Sequence, residues 1–349
     1  MEEAADHQTV ASATREDVGL ARRFAGKNLL VTGSSGFLAS ALIARLSDVD
    51  CRICCASRSN APFPSMRGAS AALERVTGDI RERRFWTQAL PDMHFVFHFA
   101  AQTSVYTADQ NTADDWAANV LPMVRLLETC QEHGWRPGIL FAGSVTQGGL
   151  PVTLPVDEAH PDRPVTIYDF HKLLAEWYLE HYVRTGRARG TTLRLANLYG
   201  PGPASSRPDR GILNQMMHRA WRGEWLPLYG DGTQLRDYLF ISDAVDAFLL
   251  AAVHLDTIDG EHFVLGSGQG HTLAQAFKLV ADRVAAATGR QVPIHHIEPP
   301  RALSEIEARD FVADVSRFRS ATGWMPRVTL AQGIDLTLES FGGEHGPAS

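Results

Sequence analysis

The sequence predicts an α/β protein, a doubly wound parallel sheet with a smaller C-terminal α/β lobe, on three observations. Short apolar runs alternate with amphipathic helical stretches through the first 200 residues. A glycine turn joins the first run to the first helix, and beyond about residue 200 Gly/Pro-rich loops replace the alternation.

Taken in order, residues 1–25 are polar and mixed in charge, without the apolar centre of a secretory signal, and predict a loose or partly helical tail. Asn28 to Val31, Arg52 to Ala56, His94 to Phe99, Gly138 to Ala142 and Thr191 to Leu195 then read as strands buried on both faces. Helical patterns lie between them, so the crossovers are βαβ units and the ligand site falls at the carboxyl ends of the strands. This places a dinucleotide-binding domain at 26–200. A second lobe, interleaved with the sheet domain, follows at 201–341, where Tyr-Gly-Pro-Gly-Pro (199–203) and Tyr-Gly-Asp-Gly-Thr (229–233) interrupt the pattern. Residues 342–349 read as a disordered tail.

With 44% hydrophobic and 21% charged residues, the 349-residue chain has the composition of an ordinary globular protein. A net charge of −7 offers no basic face to nucleic acid and no polybasic membrane anchor. No run approaches the roughly 20 apolar residues that span a bilayer, so a cytoplasmic protein is expected. Cys51 and Cys54 form C-x-x-C inside a strand rather than at a helix start, and read as buried structural thiols. No second Cys or His pair completes a zinc site, and no metal is expected.

The nucleotide end is Leu29-Leu-Val-Thr-Gly33-Ser-Ser-Gly36-Phe-Leu-Ala39. Gly33 and Gly36 let the backbone approach a pyrophosphate, whose charge suits the free N–H groups opening the helix. The spacing is shorter than G-x-G-x-x-G, and Ala39 stands at the third glycine position. After the second strand come Ser57 and Arg58 where an NAD site carries an acid. A guanidinium there grips a 2′-phosphate, which favours NADP(H) over NAD(H); the plainer alternative is a solvated loop charge. Asp79 either meets the adenine amine or caps a helix starting near Arg81.

Ser144 ends the run Gly138 to Ala142 in Phe-Ala-Gly-Ser-Val-Thr-Gln-Gly-Gly. Alone it is turn punctuation. Tyr168 and Lys172, 24 and 28 residues later, sit one helical turn apart on one face. A free tyrosine titrates near about pH 10, and a neighbouring ammonium favours its phenolate, so such a pair can move a proton at neutral pH.

With Thr32-Gly33-Ser-Ser-Gly36-Phe37, His98-Phe-Ala-Ala101, Asn119-Val120, Ser144, Tyr168 to Lys172, Leu193 to Pro201 and Gly230 to Tyr238, the chain resembles the extended short-chain dehydrogenase/reductases that act on nucleotide sugars. The resemblance covers about residues 27 to 341. It implies a Rossmann domain and a homodimer acting on a nucleotide-diphosphate sugar, with Tyr168 as acid/base, Ser144 orienting the sugar oxygen and Lys172 holding the nicotinamide ribose. It places the cofactor on Gly33, Ser35, Gly36, Phe37, Leu38, Ser57, Arg58, Asp79, Ile80, Phe99, Ala100, Ala101, Asn119, Tyr168 and Lys172. The sugar nucleotide falls on Thr103, Ser104, Ser144, Val145, Thr146, Asn197, Gly211, Ile212, Leu213, Leu228, Tyr229 and Arg236. Of these, Asn197 and Arg236 face the diphosphate; the alternative for Arg236 is an ion pair with Asp237 or Asp243.

Three chemistries share the scaffold. In the family a 4,6-dehydratase uses an Asp-Glu pair directly after the serine or threonine, and Val145-Thr146 argues against that chemistry. A 4-ketoreductase drawing hydride from NADPH is favoured by Arg58, by Tyr168-Asp169 and by Gln147-Gly148, which replace an epimerase's usual aromatic and leave a more open site. A 4-epimerase with tightly held NAD is the alternative. A non-catalytic cofactor sensor has no need of Ser144, Tyr168 and Lys172 together.

Overall fold

A computed structural model describes residues 15–58, 63, 68, 70–203, 211–299 and 302–344. The strands are β1 (Asn28–Thr32), β2 (Arg52–Ser57), β3 (Ala72–Thr77), β4 (Phe95–His98), β5 (Gly138–Ser144), β6 (Arg189–Leu195), β7 (Asn197–Tyr199), β8 (Leu226–Tyr229), β9 (Leu235–Phe240), β10 (His262–Leu265), β11 (Gly270–Thr272) and β12 (Ile294–Ile297). Seven form one sheet in the order β10-β6-β5-β4-β1-β2-β3, with every pair parallel. The fold is the doubly wound α/β sheet expected.

Alternation along the strands explains the two-sided burial. Leu29 and Val31 join a large core that continues into the C-terminal half, while Leu30, Val96 and Ile139 face a second core on the opposite side. The strand order reverses between β1 and β4, the point in such sheets at whose strand carboxyl ends ligands bind.

The C-terminal half adds two small sheets, β11-β9-β7 and a β12-β8 pair. It also returns β10 to the main sheet beside β6, so the two halves are woven together.

The N-terminal tail is helical in part and packed at its end. A helix covers Arg15–Arg22, and Phe24 is buried with its ring against Phe95 and Phe97. Burial of one aromatic anchors a segment whose polar composition suggested none. At the other end a helix runs Leu330–Glu344, through the first residues of the expected 342–349 tail. The remaining tail positions, 1–14 and 345–349, lie outside the described residues. No helix among the described residues is long and apolar enough to cross a membrane.

Candidate active site

Gly33 leaves β1 with φ +67°, and a Cβ there would stand 2.9 Å from the Ala100 Cα. The turns after β1 and β4 therefore touch, which only glycine permits. The next helix, Phe37–Arg45, begins at Gly36 without any side-chain cap. Its first N–H groups lie beside exposed Ser35 and Gly36, half-buried Phe37 and buried Leu38. An uncapped helix start in a glycine cradle fits a dinucleotide pyrophosphate.

Thr32 ties the second turn in place. Its hydroxyl accepts from the N–H groups of Phe99 and Ala100, each at 3.1 Å, and therefore donates to His98 Nδ1 at 2.9 Å. His98 is stacked on Phe141, and burial, with a contribution from the Lys172 charge, pushes its pKa from 6.5 to about 3. An unfolded chain accepts a proton there below about pH 6.5 that the folded one refuses, so the stability linked to His98 is complete above that pH and lost as pH falls toward 3. At pH 5 the loss should be about 2 kcal/mol. The thermal midpoint of wild type should thus fall more steeply between pH 7 and 5 than that of His98→Phe, and parallel curves would contradict this.

At the end of β2, Ser57 is half-buried and Arg58 exposed, with the Arg58 charge felt by Asp79. Asp79 does not cap the next helix. That helix begins at Arg83 with Glu82 at its N-cap, and Asp79 instead accepts from the Arg81 backbone at 2.9 Å and from its guanidinium. A single intervening residue lets the aspartate close a local turn. The Arg81 hydrogen bonds hold its carboxyl below the usual range. The Ile80 carbonyl accepts from the Trp86 indole at 2.7 Å.

Asn119 holds the turn beyond Ala101, which is exposed. Its amide exchanges bonds of 3.0 and 2.9 Å with the Gln102 backbone and donates to Asp115 at 3.0 Å. Asp115 also meets His171 Nδ1 at 2.7 Å. Thr103 is exposed, and Ser104 caps the helix Val105–Gln110.

Ser144 closes β5. Its Oγ is 2.7 Å from the Thr146 Oγ1, and its N–H donates to Gln147 Oε1 at 2.7 Å. Val145, Thr146 and Gln147 are all buried. Gln147 thus points inward and donates to Glu176 at 2.7 Å, while a side chain added at Gly148 would meet the His160 ring, whose Nδ1 is 3.3 Å from that point. The expected opening at Gln147-Gly148 is accordingly filled from a neighbouring loop, a contact that sequence order does not reveal. Behind Gln147, Arg194 holds Glu176 at 3.0 Å and Asp162 at 2.6 Å.

Across from Ser144, Thr166 caps the helix Ile167–Arg184 in a reciprocal box with Asp169. The first turn carries Tyr168, packed with Val105, Ala108 and Ile306. One turn on, the buried Lys172 ammonium stands 4.1 Å over the Phe141 ring. Burial pulls its pKa from 10.5 down to about 7, against the opposing pull of Glu176 and Asp115.

On the far side, buried Arg309 extends toward Asn197 Oδ1 at 3.5 Å. Sequence reasoning passed over Arg309; its one signal was a basic residue inside the acidic stretch Glu305 to Asp310. Arg236 pairs with neither Asp237 nor Asp243. Asp237 accepts from Ser267, Gly268 and Ala313, and Asp243 from Arg327 and Val328. The Arg236 guanidinium donates to the carbonyls of Leu235 and Glu307, at 3.0 and 2.7 Å, and to that of Arg309. Gly211 opens the helix Ile212–Trp221; Ile212 and Tyr229 are half-buried, whereas Leu213 and Leu228 belong to the core. Among the described residues no group of three or more His, Cys, Asp or Glu is placed to hold a metal. The four cysteines are buried, with burial pushing those of the strand up to about 11 or 12.

Residues 29–266 match the model of the NAD dependent epimerase/dehydratase family. The chain belongs to that family. It is 30% identical over 317 residues to the UDP-glucose 4-epimerase of Mycolicibacterium smegmatis, covering 89% of this chain and 97% of that protein. It is 25% identical to the dTDP-4-dehydro-6-deoxyglucose reductase of Escherichia coli, covering 90% and 97%. Among solved structures, UDP-glucose 4-epimerase from Thermotoga maritima with UDP-glucose superposes with a TM-score of 0.79 at 28% identity, covering 91% of this chain and 99% of that one. RMD from Pseudomonas aeruginosa complexed with NADPH gives 0.74 at 25% identity, covering 91% and 100%. This chain is an enzyme of the NAD(P)-dependent nucleotide-sugar epimerase and reductase family.

Proposed function

We propose that the protein is a nucleotide-sugar 4-epimerase that acts on a UDP-hexose and retains NAD through the cycle. The observation that carries this reading is likeness to a UDP-glucose 4-epimerase along 97% of that protein, with Ser144 at a strand end and Tyr168 and Lys172 one helical turn apart. The inward turn of Gln147 and the His160 ring on Gly148 also remove one ground for preferring a reductase.

In this reading Tyr168 takes the C4 hydroxyl proton and later returns it, and Ser144 donates to the C4 oxygen as charge builds there. Bound NAD supplies the hydride acceptor at C4. Gly33 to Leu38 hold its pyrophosphate, Ser57 and Arg58 face its adenosine ribose, and Lys172 meets the nicotinamide ribose. Asn197 and Arg309 receive the substrate diphosphate, while Arg236 clips the segment that presents Arg309. Exposed Trp116, Phe170, Trp177 and Tyr178 suit a second copy of the chain, giving a homodimer.

The 4-ketoreductase is the second reading, favoured by Arg58 standing exposed where an NAD site carries an acid. Denaturing the purified protein and identifying the released nucleotide separates the two. Released NAD, with UDP-glucose converted to its C4 epimer without added cofactor, is the expected result. No released nucleotide, together with NADPH consumption on a nucleotide-linked 4-keto-6-deoxyhexose, would select the reductase.

A further inference from the structure

Asp169 follows Tyr168 directly, is fully buried, and has an Oδ1 with no hydrogen-bond partner. Its other oxygen accepts the Thr166 N–H at 3.1 Å. The Thr146 hydroxyl lies close enough to influence its proton affinity, and that hydroxyl is 2.7 Å from the Ser144 Oγ. Three side chains thus run inward from the reacting serine to a carboxyl that water does not reach.

We propose that Asp169 is a positioning residue that acts through Thr146 to fix the direction of the Ser144 hydroxyl. In the arrangement observed, an ionised Oδ1 would be a buried charge that receives no hydrogen bond, because the Thr146 hydroxyl is engaged with Ser144, and such a charge is costly. A proton on Oδ1 removes the charge and supplies a donor toward Thr146. Thr146 then donates to Ser144, and the Ser144 O–H is left to donate to the sugar oxygen. With Asp169 ionised, Thr146 would turn to the carboxylate and draw the Ser144 proton away from substrate. Burial raises the Asp169 pKa, while Thr146, Thr166 and Arg309 work against the rise. This proposal rests on the assignment of Ser144 above.

Two measurements test it, one independent of turnover. The infrared difference between wild type and Asp169→Asn at neutral pH should contain the C=O stretch of a protonated carboxylic acid; a carboxylate band in its place would overturn the proposal even if no substrate were turned over. On a substrate that wild type converts, Asp169→Ala and Thr146→Val should each lower kcat about tenfold with KM little changed, the scale of one lost hydrogen bond. Asp169→Asn, whose amide donates to Thr146 and accepts from Thr166, should restore most of the rate. In the double variant Asp169→Ala/Thr146→Val the losses should not multiply. Multiplying losses would show Asp169 to be only a helix cap, and an Asn variant as slow as the Ala variant would show that its charge is needed.

Discussion

Tyr168→Phe is expected to lower kcat by about 10³-fold while leaving cofactor affinity and thermal stability close to wild type. The ring is held by Val105, Ala108 and Ile306, contacts that phenylalanine keeps, so only the phenolic oxygen is removed. The loss should therefore lie in kcat rather than KM, because the proton moves after substrate is bound. Lys172 fixes the electrostatic setting. Its buried ammonium has Phe141 beneath it, and the Glu176 and Asp115 charges oppose the burial that draws its pKa down to about 7. Steady-state turnover of UDP-glucose together with titration of bound nucleotide checks the prediction. Retention of more than about a tenth of the rate would remove Tyr168 from the chemistry.

The sheet and the shared face of Tyr168 and Lys172 were legible because each leaves a local trace. Apolar runs marked β1, β2, β4, β5 and β6 to within two residues, and Tyr168 and Lys172 declare their shared face by spacing alone. Contacts between distant segments left no such trace. Gln147 read as a gap in the site, yet its amide bridges Ser144 and Glu176, 32 positions apart. Of the two compatible roles read for Asp79, the helix cap failed because a guanidinium two residues on competed for it and won. Arg309 gained meaning only when the fold brought it to Asn197, 112 positions away. Phe24 anchors a tail whose average polarity concealed one apolar side chain.

The buried ion pairs behind Ser144 lead to the largest expected loss of stability. Arg194 lies between Glu176 and Asp162, with side-chain exposures of 5% for Arg194 and 3% for Glu176. Burial works against the arginine's charge, but the hydrogen bonds it donates to the two acids outweigh it and hold its pKa above the ordinary value. Arg194→Met keeps the length of the side chain and strands the Glu176 carboxylate, so unfolding free energy should fall by about 3–5 kcal/mol. Asp162, at 19% exposure, can turn to water and adds little. Turnover should fall as well, because Gln147 takes its orientation from Glu176 and supplies the acceptor for the Ser144 N–H. The pair Arg194→Met/Glu176→Leu separates the two effects. Removing both charges should recover most of the stability, since an apolar replacement leaves no buried ion, yet turnover should stay low because Gln147 then loses its acceptor altogether. Denaturant unfolding and kcat on wild type and these two variants check both halves. Recovery of full activity in the double variant would mean that the network stabilises the fold without positioning Ser144.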